Sequence, residues 1–263
     1  MRENIYFYFM LTHILFILSL VLLWFNTTTA TSHGHHLVDV AGQAVHKCIE
    51  KERQALLDFK APLHDPYDML STWRPEEEDC CQWFGVTCNN QTGHVTELAL
   101  YGGPYTGSLE GEITLSLLNL TYLTHLELYD NSFHGTIPKF ICSMTHLTFL
   151  SLAYNEFTGT IPESIGNMTQ LTHLDLSENK FSGVIQESIG SLTKLTYLNL
   201  LRTNFSGTIP RSIGSLTKLT DLYLNYNKFS GTIPMSIGSL TKLTSLDLSS
   251  NKFSGVIPTS IGY

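Results

Sequence analysis

Charged residues are scarce in this sequence, and positive charge is scarcer than negative charge. Lys, Arg, Asp and Glu together make up 14% of the 263 residues, with 15 basic side chains against 23 acidic ones. Because proteins that bind nucleic acid neutralise phosphates with clustered Lys and Arg, this composition argues against nucleic acid as a partner. The sequence also lacks the short motifs of serine hydrolases, zinc proteases, nucleotide-binding loops and protein kinases. We therefore expect a protein that is not an enzyme and has no catalytic residues, cofactor or metal site.

A single long hydrophobic run is present, from Ile5 to Phe25. Small residues follow it as far as Ser32 and suit cleavage after Ala30, so the sequence predicts a signal peptide over 1–30 and a flexible leader over 31–47. A run of this length is also long enough to stay in the bilayer as an uncleaved anchor. In either case we expect the secretory pathway, ending in the extracellular space or at the outer face of the plasma membrane. Membrane contact is expected only if the segment is uncleaved or a longer form exists.

A repeat of 24 residues occupies the chain from Leu120 to Tyr263 and makes six units. Each unit follows the pattern Leu-x-x-Leu-x-x-Leu-x-Leu-x-x-Asn-x-Phe-x-Gly-x-Ile-Pro-x-x-Ile, with four departures in all. The alternation Leu-x-Leu is typical of a short strand, Asn holds a turn through its amide, and Gly permits a tight bend. Because no unit can bury its own leucines, neighbouring units must stack. We therefore expect an α/β solenoid, a right-handed superhelix with one parallel sheet on its concave side.

The segment 48–93 differs from the repeats and is placed to cover the first of them. Apolar residues recur at helical spacing from Ile49 to Leu63, which predicts a helix over 50–60 that ends before Pro62. Four of the five cysteines lie in this cap, namely Cys48, Cys80, Cys81 and Cys88. They allow three pairings, and a bond between the two adjacent cysteines is disfavoured because their side chains diverge. An irregular first repeat over 94–119 joins the cap to the regular units.

The 24-residue unit resembles the plant-type leucine-rich repeat. The cap resembles the N-terminal domain of plant receptor-like proteins in the runs Cys-Ile-Glu-Lys-Glu-Arg-x-Ala-Leu-Leu-x-Phe-Lys, Cys-Cys-x-Trp-x-Gly-Val-x-Cys and Thr-Gly-His-Val-Thr-x-Leu. It is also similar to polygalacturonase-inhibiting proteins. The resemblance implies the disulfides Cys48–Cys80 and Cys81–Cys88. It further implies an extracellular module that recognises a peptide, protein or glycan in defence or development signalling, with a receptor kinase as a partner.

Two alternatives to a receptor-like ectodomain stay open. One is a secreted inhibitor of a cell-wall hydrolase such as polygalacturonase, and the other is a non-functional fragment of a receptor. Such receptors carry a C-terminal cap, an acidic stretch and a transmembrane helix, whereas this sequence ends at Tyr263, inside a repeat. We therefore expect 120–263 to have no C-terminal cap, and we expect the last repeat to be the least stable part of the chain.

The outward-facing strand positions differ from unit to unit while the core positions repeat, which is typical of a binding surface on a copied scaffold. Large apolar side chains at these positions predict ligand contact at Tyr129, Phe149, Tyr197 and Tyr223. The alternative is that they stack across strands and only stabilise the sheet. His125 and His173 share one outward column but lie two strands apart, roughly 9.6 Å, which is too far to share a zinc ion. We interpret both as surface histidines.

Two further groups of residues invite modification. Asn-x-Ser/Thr sequons predict N-glycans at Asn90, Asn119, Asn167 and Asn204. The fifth cysteine, Cys142, occupies a position that is Gly in the other complete units. We interpret it as a turn substitution, with intermolecular pairing as the alternative.

Overall fold

The computed structural model describes residues 47–103 and 107–259. The predicted signal peptide and all of the predicted leader except Lys47 lie outside the described residues, and so does the end of the last repeat after Thr259. Among the described residues, no helix is both long enough and apolar enough to cross a bilayer.

The N-terminal cap is built on one helix, α1 (Glu50–Lys60), whose range agrees with the predicted helix. Its buried face includes Leu56 and Phe59. The cap contains the disulfides Cys48–Cys80 and Cys81–Cys88, which is the pairing that the resemblance implies. The strand of the cap, β1 (Val86–Cys88), runs antiparallel to the first strand of the solenoid (Val95–Ala99). It thereby covers the N-terminal edge of the solenoid's sheet.

The solenoid has one main sheet of eight strands. The cap contributes β1, and each repeat contributes one of the other seven strands. In order along the chain these strands are β2 (Val95–Ala99), β4 (His125–Glu127), β6 (Phe149–Ser151), β7 (His173–Asp175), β9 (Tyr197–Asn199), β11 (Asp221–Tyr223) and β13 (Ser245–Asp247). They pair in parallel, β2 with β4 at an offset of 28 residues and every later pair at 24, so that Leu126, Leu150, Leu174 and their equivalents face each other across the strands. The central leucine of each regular unit points inward, and its two neighbours point to the concave side.

The return path is more regular than the sequence pattern predicts in every unit except 144–167. Short strands form there, β3 (Glu110–Gly111), β5 (Ser132–Phe133), β8 (Ser182–Gly183), β10 (Asn204–Gly207), β12 (Lys228–Gly231) and β14 (Lys252–Phe253). They pair in parallel as a two-stranded and a four-stranded sheet, which the sequence pattern did not predict, in addition to the predicted parallel sheet on the concave side. The constant period explains these sheets, because it aligns extended backbones whose N–H and C=O groups then pair, as in the N–H of Asn204 in β10 to the C=O of Phe181, which precedes β8, at 2.7 Å.

Short 3-10 helices connect the return path to the next strand. They span Cys80–Gln82 in the cap and Leu115–Asn119, Ile141–Ser143, Glu163–Asn167, Glu187–Ser191, Arg211–Ser215 and Met235–Ser239 in the repeats. Each of those in the repeats packs one isoleucine or leucine into the core, such as Ile189. A glycine follows that isoleucine in several units, and at Gly190 an added Cβ would lie 2.5 Å from the Cβ of Ser212 in the next unit.

Two columns of recurring side chains, phenylalanines and asparagines, hold neighbouring units together. The phenylalanines stack from one unit to the next with ring centroids 6.0 to 6.4 Å apart, as the repeat pattern predicts. The buried asparagines form a ladder: Asn179 donates to Leu152 C=O, Leu176 C=O and Ser177 C=O, and its Oδ1 accepts from Phe157 N–H. Each amide therefore satisfies backbone groups in two units at once.

Two positions depart from the regular core. Cys142 is fully buried, and burial raises the pKa of its thiol, so it behaves as an apolar filler. In the last repeat, Leu243, Leu246 and Leu248 are only half-buried, whereas the leucines at the same positions of the preceding unit are fully buried.

Candidate functional site: the concave face

The concave face carries a continuous column of four aromatic and imidazole rings. It runs across the first outward position of four successive strands and comprises His125, Phe149, His173 and Tyr197. The ring centroids are 4.0, 4.1 and 4.2 Å apart, and the planes are within 8° of parallel. This ring column follows directly from the 24-residue period, which places the four side chains in one file.

Burial within this ring column changes the acid–base behaviour of two members. The pKa of His173 is lowered from its ordinary value because burial between Phe149 and Tyr197 disfavours the charged imidazolium, although the Asp175 carboxylate partly opposes this. Burial, together with the nearby Asp175 carboxylate, raises the pKa of Tyr197 to about 12. A neutral His173 and a protonated Tyr197 are therefore favoured near neutral pH.

Beside the ring column runs a column of polar side chains at the second outward position. Asn199 donates to the Asp175 carboxylate at 3.1 Å and to the Tyr197 hydroxyl at 3.2 Å. Ser177 donates to the other oxygen of Asp175 at 2.6 Å. Tyr223 stands in this column next to Asn199, and its ring tilts against that of Tyr197 at 5.9 Å.

A further column follows each strand at a residue with left-handed backbone geometry. Tyr154, Arg202 and Tyr226 all have φ near +50°, which exposes their side chains at the rim of the concave face. The Arg202 guanidinium lies 5.2 Å from the ring centre of Tyr226 and 3.2 Å from Glu178. This guanidinium therefore already has both an aromatic and an anionic partner.

The predicted ligand residues are spread over three different columns of the concave face. Phe149 and Tyr197 belong to the ring column, and Tyr223 leans on Tyr197 from the neighbouring column. Tyr129 lies apart from them, with its ring 5.1 Å from that of Tyr154. The four residues thus share a face but do not form one cluster.

His125 and His173 do lie on the concave surface, but their rings are half-buried between aromatic neighbours in the stack, which the interpretation as surface histidines did not include. The signal that could have shown this is the spacing 125, 149, 173 and 197, which places histidine and aromatic residues in one column.

The predicted glycan sites lie away from the concave face. Asn90, Asn167 and Asn204 are exposed, and Asn119 is half-buried at the end of a 3-10 helix. Asn167 borders a shallow groove of about 710 Å³ on the flank of the solenoid, which Tyr122 and His146 also line.

The only cluster of metal-ligand type among the described residues is formed by the four cap cysteines, whose sulfur atoms lie within 4.8 Å of one another. Each of these sulfurs is bonded to another sulfur, so none offers the thiolate that a metal ion would require.

Family models identify both parts of the chain. The model described as a leucine rich repeat N-terminal domain matches residues 49–89, and leucine rich repeat models match 122–144, 145–205, 218–240 and 242–263.

Among curated proteins, the chain is similar to the receptor-like protein EIX1 of Solanum lycopersicum, at 42% identity over 32% of this chain and 9% of that protein. It is also similar to a polygalacturonase inhibitor of Pyrus communis, at 34% identity over 31% of this chain and 23% of the inhibitor. The matched part thus covers about a tenth of the length of the receptor-like relatives.

Solved structures share the architecture. The PEPR1–AtPEP1 crystal structure matches with a TM-score of 0.72 and 33% identity, over 81% of this chain and 30% of that one. The crystal structure of the Arabidopsis receptor kinase HAESA, in complex with the peptide hormone IDA and the co-receptor SERK1, matches with a TM-score of 0.55 and 29% identity. This match covers 81% of this chain and 44% of the matched chain. With its disulfide-bonded cap and parallel sheet, the chain belongs to the leucine-rich-repeat family, in the form found in plant receptor-like proteins and polygalacturonase inhibitors.

Proposed function

We propose that the chain is the ligand-recognition part of an extracellular receptor-like protein and that its concave face binds an extended peptide or a peptide segment of a protein. The observation that carries this proposal is the ring column, which places four flat rings at the centre of the concave face. Half-buried aromatic side chains on a rigid sheet are the usual anchors of protein interfaces, because they offer a large contact area at little entropic cost.

The dimensions support a peptide as the ligand. Seven parallel strands of the main sheet span six gaps, roughly 29 Å, and an extended peptide of about nine residues covers the same length. The similarity to HAESA, which was solved with a peptide hormone and a co-receptor, supports the same kind of ligand and a receptor kinase as partner. The signalling would serve defence or development, with N-glycans at Asn90, Asn119, Asn167 and Asn204 in a secreted or membrane-anchored glycoprotein.

A displayed library of random nonapeptides tests this function. The library is selected on the purified chain, and the enriched peptides are then measured against Tyr197→Ser and against Tyr122→Ser. Tyr122 is the matched control, because it is an exposed tyrosine on the flank rather than on the concave face. We expect the enriched peptides to bind the wild type and Tyr122→Ser equally and to lose affinity for Tyr197→Ser. Equal binding to all three proteins would contradict the proposal.

A second candidate function is inhibition of a secreted cell-wall hydrolase. The similarity to the Pyrus communis polygalacturonase inhibitor favours it, because that match is 34% identical. The purified chain would then lower the rate at which extracellular polygalacturonases hydrolyse pectate. Unchanged hydrolysis at a large excess of the chain would count against this alternative.

A further inference from the structure

The concave face is acidic, whereas most of the positive charge lies elsewhere on the solenoid. Seven carboxylates occupy its outward positions, Glu97, Glu127, Asp130, Asp175, Glu178, Asp221 and Asp247. Arg202 is the one arginine or lysine among these positions, and Glu178 already binds it. Lysines cluster instead on the flank and the return path, for example Lys194 and Lys228. A concave surface with one sign of charge attracts a ligand of the opposite sign.

Two of these carboxylates flank the tyrosine pair and have only neutral partners. Asp175 accepts from Asn199 and Ser177, and Asp221 accepts from Thr220 at 2.7 Å. Among the described residues, no lysine, arginine or histidine lies within ion-pair distance of either carboxylate. Their negative charge is therefore uncompensated.

A separate observation points to a missing hydrogen-bond donor at the same place. Asn225 lies two residues after Tyr223, just beyond the end of β11, and continues the two-residue alternation of outward positions. It is 8% exposed, and its Oδ1 has no hydrogen-bond partner among the described residues. A buried acceptor without a donor is costly, and a bound ligand that donates a hydrogen bond would remove that cost.

An arginine side chain meets all three requirements. Its guanidinium carries positive charge, has five N–H donors in a flat fork and stacks on tyrosine rings. The tilted pair of Tyr197 and Tyr223 offers ring surface between the two carboxylates, in the same way that Tyr226 already receives Arg202. We propose that Asp175, Tyr197, Asn199, Asp221, Tyr223 and Asn225 form a pocket for an arginine of the bound peptide. This inference rests on the proposed function and specifies the charge of its ligand.

Fluorescence anisotropy with defined peptides tests this arginine pocket. The probe is a labelled nonapeptide of alternating arginine and glycine, and the comparators carry citrulline or glutamate in place of arginine. Citrulline keeps the shape of arginine and removes its charge. We expect Asp221→Asn and Asp175→Asn each to weaken binding of the arginine peptide about tenfold, the usual loss for a charged hydrogen bond.

The matched control is Glu163→Gln, which changes the net charge equally but lies in the 3-10 helix Glu163–Asn167, outside the concave face. It should change the affinity less than twofold, and thermal melting of every variant shows that each remains folded. If the carboxylate variants and this control weaken binding equally, or if the arginine peptide does not bind, the pocket is refuted. If the citrulline or glutamate peptide binds the wild type as tightly and Tyr197→Ser abolishes that binding, the arginine pocket is refuted while the concave face remains the binding surface.

Discussion

Thr203 interrupts the asparagine ladder, and restoring the amide should stabilise the solenoid. The Thr203 hydroxyl oxygen lies 3.1 Å from Leu200 C=O and 2.6 Å from the Oδ1 of Asn227, and its single proton can be donated to only one of these acceptors at a time. The regular ladder residue would do more, because Asn179 reaches three carbonyls and also accepts from the N–H of Phe157 in the preceding unit. Phe181 N–H occupies the position of Phe157 N–H one unit further on, but it donates no hydrogen bond to Thr203 in the described structure, although Phe181 is fully buried.

The expected gain follows from these bonds. An unsatisfied buried N–H costs about 1–3 kcal/mol, and the lost hydroxyl bond offsets about 0.5–1.5 kcal/mol of the gain. Thr203→Asn should therefore raise the free energy of unfolding by about 1 kcal/mol, which is about 2–4 °C in Tm for a protein of this size. The reverse change, Asn179→Thr, removes the acceptor from Phe157 N–H and should lower stability by about 1–3 kcal/mol.

Thermal melting by circular dichroism measures both variants under identical conditions. Neither change alters the sequon at Asn204, so glycosylation stays constant between the proteins. If Thr203→Asn melts below the wild type, the ladder does not act as described, and the hydroxyl network at Thr203 is the preferred arrangement.

Three further outcomes follow from the same contacts. Burial lowers the pKa of His173, so the unfolded chain takes up this proton first and stability should fall as the pH drops below about 6.5. Tm should therefore depend less steeply on pH in His173→Phe than in the wild type, whereas the exposed control His146→Phe should keep the wild-type dependence. Gly190→Ala should lower stability by about 1–3 kcal/mol in denaturant titration, because its Cβ would clash with Ser212, and an unchanged midpoint would contradict that packing. Tyr197→Ala should weaken peptide binding at least tenfold, while the lost ring contact lowers Tm by only a few degrees; an equal loss of both would mean that the rings serve stability alone.

Periodicity explains most of what the sequence could predict. The strand positions, the phenylalanine stack and the asparagine ladder all follow from side chains that recur every 24 residues, and helical spacing located α1. Glu52 shows where this reasoning fails. The sequence places it on a helix as an ordinary acidic residue, yet it is buried and accepts from Val95 N–H at 2.7 Å, with His94 beside it at 2.9 Å. Only the packing of α1 against the first repeat shows that contact.

The candidate site was predictable in its face but not in its arrangement. Periodicity assigned Phe149 and Tyr197 to the concave side. Because histidine was treated as a polar residue and not as a flat ring, the stack that His125 and His173 complete was not predicted. That the Oδ1 of Asn225 has no hydrogen-bond partner in the described part of the chain could not be predicted, because this depends on which neighbours reach one particular atom.

Hydroxyl-radical footprinting of the chain, free and saturated with a peptide enriched from the nonapeptide library, directly tests whether the concave face binds the peptide. The method reports the solvent access of individual aromatic side chains, and the chain provides tyrosines both on and off the concave face. If the concave face binds the peptide, we expect the peptide to protect Tyr129, Tyr197 and Tyr223 from oxidation and to leave Tyr67 in the cap and Tyr122 on the flank as reactive as in the free protein. Protection of Tyr67 or Tyr122 with no change at the concave tyrosines would contradict it.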